Sequence, residues 1–192
     1  MYELAIYTGI RRGELAGLYW ADVDLAARTI VVRHNRACVD GKVLETTTKT
    51  RSGRRTVPLS DAGVAALLTW QLRQFEEREA AQEAWVGDGH VFTMEDGRAL
   101  DPCYVTRLFQ VIRTQGEPLP ELTFHGLRHS AASLMLAGGA DISTVSKLLG
   151  HSSISITADV YAHMLEGVGQ RAVDGVADLI AHMVHSQSGV TG

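Results

Sequence analysis

The chain has 192 residues, 45% of them hydrophobic, which falls within the ~100 to 200 residues of a usual domain and predicts one domain, 1–192, with a sizeable core. A formal net charge of -4 and a pI near 6.0 are low for a protein that handles a polyanion with its whole surface, so any basic face must be local. No apolar run approaches the ~20 residues of a membrane span, no signal pattern follows Met1, and the two cysteines, Cys38 and Cys103, lie too far apart in sequence to read as a disulfide framework or zinc site, so an intracellular, cytoplasmic protein with two reduced thiols and no membrane partner is expected.

In chain order, residues 1–8 read as a helical segment with Leu4, Ala5 and Tyr7 as apolar contacts. Thr8 is positioned to cap a second helix through Arg11, Glu14, Leu15 and Leu18, which puts Arg11 in its first turn, where a cation opposes the helix dipole. Taken alone, Arg11 is a surface arginine paired with a carboxylate, and Arg12 is its solvated neighbour. Thr29 to Arg33, Val43 to Thr47 and Thr56 to Leu59 alternate as strands and predict a small three-stranded antiparallel sheet. Ser52 and Gly53 mark a turn between the last two strands, with Lys49 near its tip. By composition alone Lys49 is an exposed lysine that protects a sheet edge.

Ser60 caps a long helix through Val64, Leu67, Leu68, Leu72 and Phe75 that ends near Gly87 and reads as scaffold. Asp101 followed by Pro102 starts another, with Tyr104, Leu108, Val111 and Ile112 as its buried stripe. Glu117 to Pro120 is a short connector. Thr123 then caps a helix whose buried face is Leu127, Ala131, Leu134 and Met135, stopped by Gly138 and Gly139. A further helix runs from Asp141 to Gly150. Apolar residues from Val168 to Met183 keep helical spacing and predict a C-terminal helix over 168–185, with a frayed tail at 186–192. The fold class is therefore mainly α with a small antiparallel sheet.

Charge is distributed unevenly along this frame. Between Arg28 and Arg55 eight basic residues face two acidic ones, a balance of +6, whereas Arg73 to Asp101 carries -5. The first segment, with Arg51, Arg54 and Arg55, is the candidate DNA-facing surface.

The residues that carry chemistry converge in the second half. His125 and Arg128, three apart near a helix amino end, project toward one ligand, and that end offers free amides and a partial positive charge suited to phosphate. His151 follows the helix ending in Leu149-Gly150, and Tyr161 lies ten residues on. His125 and His129 are four apart and could hold zinc, but the glutamate of a zinc hydrolase motif is missing between them. A buried tyrosine is usually a packed side chain with a tethered hydroxyl, and His129 and His163 have similar packing roles open to them.

Thr8-Gly9-Ile10-Arg11, Lys49, His125-x-x-Arg128, Leu149-Gly150-His151 and Tyr161, in that order, resemble the tyrosine recombinase, or phage integrase, family, over roughly Tyr2 to His163. The resemblance implies that family's catalytic-domain fold and a strand-transfer reaction on double-stranded DNA through a 3'-phosphotyrosyl link. By the same resemblance Arg11 and Arg128 clamp the phosphate, Lys49 protonates the leaving 5'-oxygen, His125 exchanges a proton with Tyr161, His151 donates to a phosphate oxygen, and Tyr161 is the nucleophile. Glu14 is the acceptor that orients Arg11. No cofactor and no metal are implied. Copies of the chain are expected to self-associate on DNA, through the C-terminal helix, and the chain is expected to lack the family's usual N-terminal DNA-clamping domain, which leaves full recombination by it in question. A type IB topoisomerase uses much the same residues, and a non-catalytic DNA-binding remnant is the reading from another class.

Overall fold

The computed structural model describes residues 1–47, 53–115 and 122–161. Lys49, Arg51 and Ser52, the 117–120 connector, His163 and the predicted C-terminal helix lie outside the described residues. Seven helices occur among the described residues: α1 Tyr2–Thr8, α2 Arg12–Ala16, α3 Asp61–Ala81, α4 Pro102–Thr114, α5 Phe124–Ala137, α6 Ile142–Leu149 and α7 Ile154–Tyr161. Between α2 and α3 lie β1 Val23–Asp24, β2 Thr29–Val32, β3 His34–Val39, β4 Lys42–Thr47 and β5 Arg55–Pro58.

Helix starts follow side-chain capping. The side chains of Ser60, Asp101, Thr123 and Asp141 accept from the backbone N–H groups of Gly63, Cys103, Gly126 and Thr144, as their sequence positions predict. The start of α2 differs. Thr8 is the last residue of α1, its hydroxyl donating back to the Leu4 carbonyl at 2.5 Å, and Gly9 turns the chain with φ +66°. Arg11 is then the N-cap of α2, and its backbone N–H donates to Glu14 Oε2 at 2.9 Å. The left-handed Gly9 closes α1 after Thr8, so Arg11 and not Thr8 caps α2.

A three-stranded antiparallel sheet is present, in the order β1-β2-β5, beside a separate hairpin of β3 and β4. The two strands on either side of the expected turn, β4 and β5, therefore belong to different sheets. β5 pairs with β2, Val57 opposite Ile30, and β4 pairs with β3, which sequence reading passed over, Leu44 opposite Ala37. His34 to Val39 alternates poorly, and none of its first five residues is fully buried or fully exposed, so a period-two pattern never forms.

The main core joins Leu4 and Ala5 of α1, Ile10, Leu15 and Leu18, Ile30 and Val32 of β2, Val57 of β5, Leu67 of α3, Val105 and Phe109 of α4, and Phe124 and Leu127 of α5. Tyr7 is 45% exposed rather than in contact. Two amphipathic readings fail in the same way. In α4 the buried residues are Pro102, Val105 and Phe109, while Tyr104, Leu108, Val111 and Ile112 face out; in α3 Leu67 is buried, and Leu68, Leu72 and Phe75 are exposed. Both faces of each helix carry apolar side chains at helical spacing, and periodicity does not say which one the sheet and α1 cover. α3 ends at Ala81, before a short 3-10 turn at Gln82–Ala84, not near Gly87. In α5 Leu134 is 62% exposed, whereas Arg128 and Ala132 are buried, because this helix packs against α1 on one side and α6 on another. A second small cluster, Ala132, Val145, Leu149 and Tyr161, ties α5, α6 and α7 together.

Candidate active site

Arg11, Arg55, Arg128, His151 and Tyr161 meet around the C-terminus of α6. A helix end leaves its last carbonyls without intrahelical partners and carries partial negative charge. Here three arginines take those carbonyls: Arg55 Nε donates to Leu148 O at 2.6 Å, Arg128 Nη2 to Leu149 O at 2.7 Å, and Arg11 Nη2 to Gly150 O at 2.8 Å. Arg128 also donates from Nη1 to Gly9 O at 2.7 Å, so the turn after α1 and the end of α6 hold one guanidinium from both sides. Gly9 is required there. A Cβ at this position would meet Leu149 Cδ2 at 2.6 Å, in addition to the strain of its positive φ.

Glu14 balances this concentration of positive charge. Its carboxylate receives both Nη atoms of Arg55, at 2.9 and 2.8 Å, and Nη1 of Arg11 at 2.9 Å. Burial pushes the Glu14 carboxyl up, but the bonds and charges of Arg55 and Arg11 outweigh it and hold the group below its ordinary value. Its position beside Arg11 agrees with the orienting part expected of it. Arg55 departs from expectation: only 7% of its side chain is exposed and its donors point inward, so it braces Glu14 and α6 instead of facing outward with Arg54, which is exposed. Arg12, expected in solvent, is half-buried and hydrogen-bonded to the Thr106 hydroxyl of α4.

Arg11, Arg12, Arg36, Thr123, His125 and Arg128 line part of one cavity of about 410 Å³, with the amino end of α5 at its wall. Arg128 is 4% exposed; burial first, then Arg11, lowers its pKa to about 9, which leaves it cationic at neutral pH. His125 is lowered from its ordinary value by burial, then by His129, Arg128 and Arg11. His151 is lowered to about 4 by burial and by the three arginines, with His129 adding to the effect, so its ring is neutral near pH 7. Its Nδ1 lies 2.7 Å from the Thr157 hydroxyl, a partner on α7 that sequence reading did not single out. With Nδ1 accepting from that hydroxyl, Nε2 carries the proton and is a donor.

Tyr161 is 3% exposed, and its phenol is raised by burial, with Arg128 opposing. Its hydroxyl faces Nδ1 of His129 at 2.8 Å. The structure thus brings His129, not His125, to the tyrosine, and the His125 ring stands edge-on to His129 with centroids 4.7 Å apart. The signal for His129 was available, since it shares a helix face with His125 four residues earlier, but its place directly after Arg128 suggested packing. Lys49 and Arg51 lie outside the described residues.

Residues 1–167 match the Phage integrase family. The chain belongs to that family. It is 34% identical over 191 residues to a "Tyrosine recombinase XerC-like" protein of Caldanaerobacter subterraneus, covering 93% of this chain and 49% of the relative. Tyrosine recombinase XerC of Mycobacterium tuberculosis is 34% identical over 175 residues, covering 88% of this chain and 52% of that protein. This phage integrase family member spans about half the length of the curated relatives it matches. Among solved structures, the Tn1549 transposon integrase in complex with transposon right end DNA superposes with a TM-score of 0.72 at 23% identity, over 92% of this chain and 57% of that one. XerA recombinase does so with a TM-score of 0.67 at 23% identity, over 90% and 55%. The fold is that of a tyrosine recombinase catalytic domain, mainly α with small antiparallel sheets.

Proposed function

We propose that this chain is the catalytic portion of a site-specific DNA recombinase or integrase, which cuts and rejoins strands through a 3'-phosphotyrosyl intermediate. The observation that carries the reading is the convergence of Arg11, His125 and Arg128 on one cavity beside the end of α6, with His151 and Tyr161 packed against the same end. Guanidinium forks onto phosphate oxygens and stays charged, so Arg11 and Arg128 supply the positive charge that many nucleases draw from a metal. Each keeps N–H groups beyond those bonded to carbonyl or carboxylate, and these are the donors for a scissile phosphate. His151, neutral with Nε2 protonated, donates to a non-bridging oxygen.

The nucleophile is the Tyr161 hydroxyl. Its attack on phosphorus forms the phosphotyrosine ester, breaks the bond to the 5'-oxygen, and passes the phenol proton to a histidine. The contact with His129 makes that residue the proton acceptor, with His125 behind it. Lys49 is assigned protonation of the departing 5'-oxygen by resemblance alone. A 5'-hydroxyl of another strand reverses the step, so no cofactor is needed. Double-stranded DNA is the partner, with copies of the chain assembling on it.

The test is a duplex nicked near the cleavage site, from which the 5'-hydroxyl product diffuses away and traps the covalent link. The chain should give a denaturant-resistant protein-DNA adduct, and Tyr161→Phe should give none while still binding the duplex. An adduct with the Phe variant would move the nucleophile elsewhere; no adduct with the unaltered chain, despite binding, would favour a non-catalytic DNA-binding protein.

A further inference from the structure

The two cysteines, 65 positions apart, meet in space. Cys38 on β3, Cys103 in the first turn of α4 and Asp101, the N-cap of α4, place two sulfurs and a carboxylate oxygen within 4.8 Å of one another. All three side chains are partly accessible, and both thiols are free. From the geometry we infer that Cys38, Cys103 and Asp101 form a three-donor site for a thiophilic divalent cation of the zinc type, which clips the β3–β4 hairpin to the start of α4.

Donor chemistry and spacing both support this. Two thiolates with one carboxylate are a set that selects zinc or cadmium over magnesium or calcium, and a three-ligand site leaves the fourth tetrahedral position to water. A zinc ion with Zn–S of about 2.3 Å and Zn–O of about 2.1 Å needs its donors roughly 3.5 to 3.8 Å apart, so the observed spread closes with small side-chain rotations. Asp101 Oδ1 already receives the Cys103 N–H at 2.7 Å, which fixes the carboxylate beside the thiol.

The place of the site gives it a consequence. β3 also supplies Asn35 and Arg36 to the wall of the cavity that holds Arg11 and Arg128. A cation bridging β3 and α4 therefore fixes one wall of that cavity without touching the scissile phosphate.

Titrating the reduced 192-residue chain with Co2+ under anaerobic conditions, then displacing it with Zn2+, tests the site. The expected result is a thiolate-to-cobalt charge-transfer band saturating at one equivalent and lost on adding zinc. Cys38→Ser or Cys103→Ser should abolish it with the circular dichroism spectrum unchanged. Asp101→Asn, which keeps a good N-cap for α4, should weaken zinc binding at least tenfold. Absence of the band in the reduced chain, its survival in either serine variant, or an Asp101→Asn affinity equal to that of the unaltered chain would each overturn the assignment.

Discussion

Among the arginines, neighbours in sequence have opposite surroundings. Arg54 is exposed, and Arg55 is locked between Glu14 and the Leu148 carbonyl. Arg55→Ala leaves a buried carboxylate short of its main partner and should lower the unfolding free energy by about 3 to 5 kcal/mol, whereas Arg54→Ala should change it by less than about 0.5 kcal/mol; urea unfolding of both variants measures the contrast. Protonation adds a second expectation. The folded-state pKa of His151 is depressed from 6.5 to about 4, so the folded chain holds fewer protons than the unfolded chain between those values. Its contribution to stability is complete above 6.5 and is lost as pH falls toward 4, and the depressed Glu14 carboxyl has the same sign at lower pH. Unfolding free energy should therefore fall on acidification, and His151→Gln, which has no titrating group but keeps a donor, should flatten the upper part of that fall. A profile unchanged by the substitution would mean that the ring is not held neutral.

The element that organises the site is α6, eight residues long. Its start is tied by Asp141, whose carboxylate takes the Thr144 N–H at 2.9 Å and the Thr144 hydroxyl at 2.5 Å. Its end presents three successive carbonyls to three arginines. In so short a helix the cap and the terminal guanidinium bonds carry much of the orientation, since isolated helices of this length are marginal in water. Asp141→Ala should cost about 0.5 to 2 kcal/mol of stability and, by loosening α6, reduce the adduct-forming rate; Asp141→Asn, which caps comparably, should restore both. A rate loss that Asn fails to restore would mean that the Asp141 charge, not the cap, matters. At the other wall, Gly9→Ala should destabilise by about 1 to 3 kcal/mol, because the turn needs positive φ and Leu149 lies against the absent Cβ.

At the level of the whole molecule, the net charge of -4 coexists with a cavity lined by Arg11, Arg12, Arg36 and Arg128. The +6 segment is less available than its sequence total implies, because Arg28, Arg33, Arg36 and Arg55 pair with Asp61, Asp22, Glu45 and Glu14. Binding to a DNA duplex should therefore show a salt slope smaller than eight basic residues would give. Removing Arg54 should reduce that slope by about one contact, while a charge-conserving Arg54→Lys should leave it unchanged. Fluorescence anisotropy across a salt series reads both; an unchanged slope in Arg54→Ala would take this residue off the DNA-facing surface.

Some of this protein was determined by local chemistry and needed only the sequence. Ser60, Asp101, Thr123 and Asp141 cap their helices because a side-chain oxygen reaches an N–H two or three residues ahead, and Gly150 ends α6 because it adopts φ +68°. Arg11, His125, Arg128, His151 and Tyr161 were legible as a set from their order along the chain. What tertiary structure decided was which of two equivalent choices is covered: the Val105 face of α4 over the Tyr104 face, β2 over β4 as the partner of β5, His129 over His125 at Tyr161, Arg55 inside and Arg54 outside. It also brought Cys38 to Cys103 across 65 positions. Periodicity and capping act over about one helical turn, so they set where an element begins and which residues share a face. Which face is buried, and which distant side chains meet, depends on how much apolar surface each arrangement removes from water across the whole chain, a sum that no local window contains.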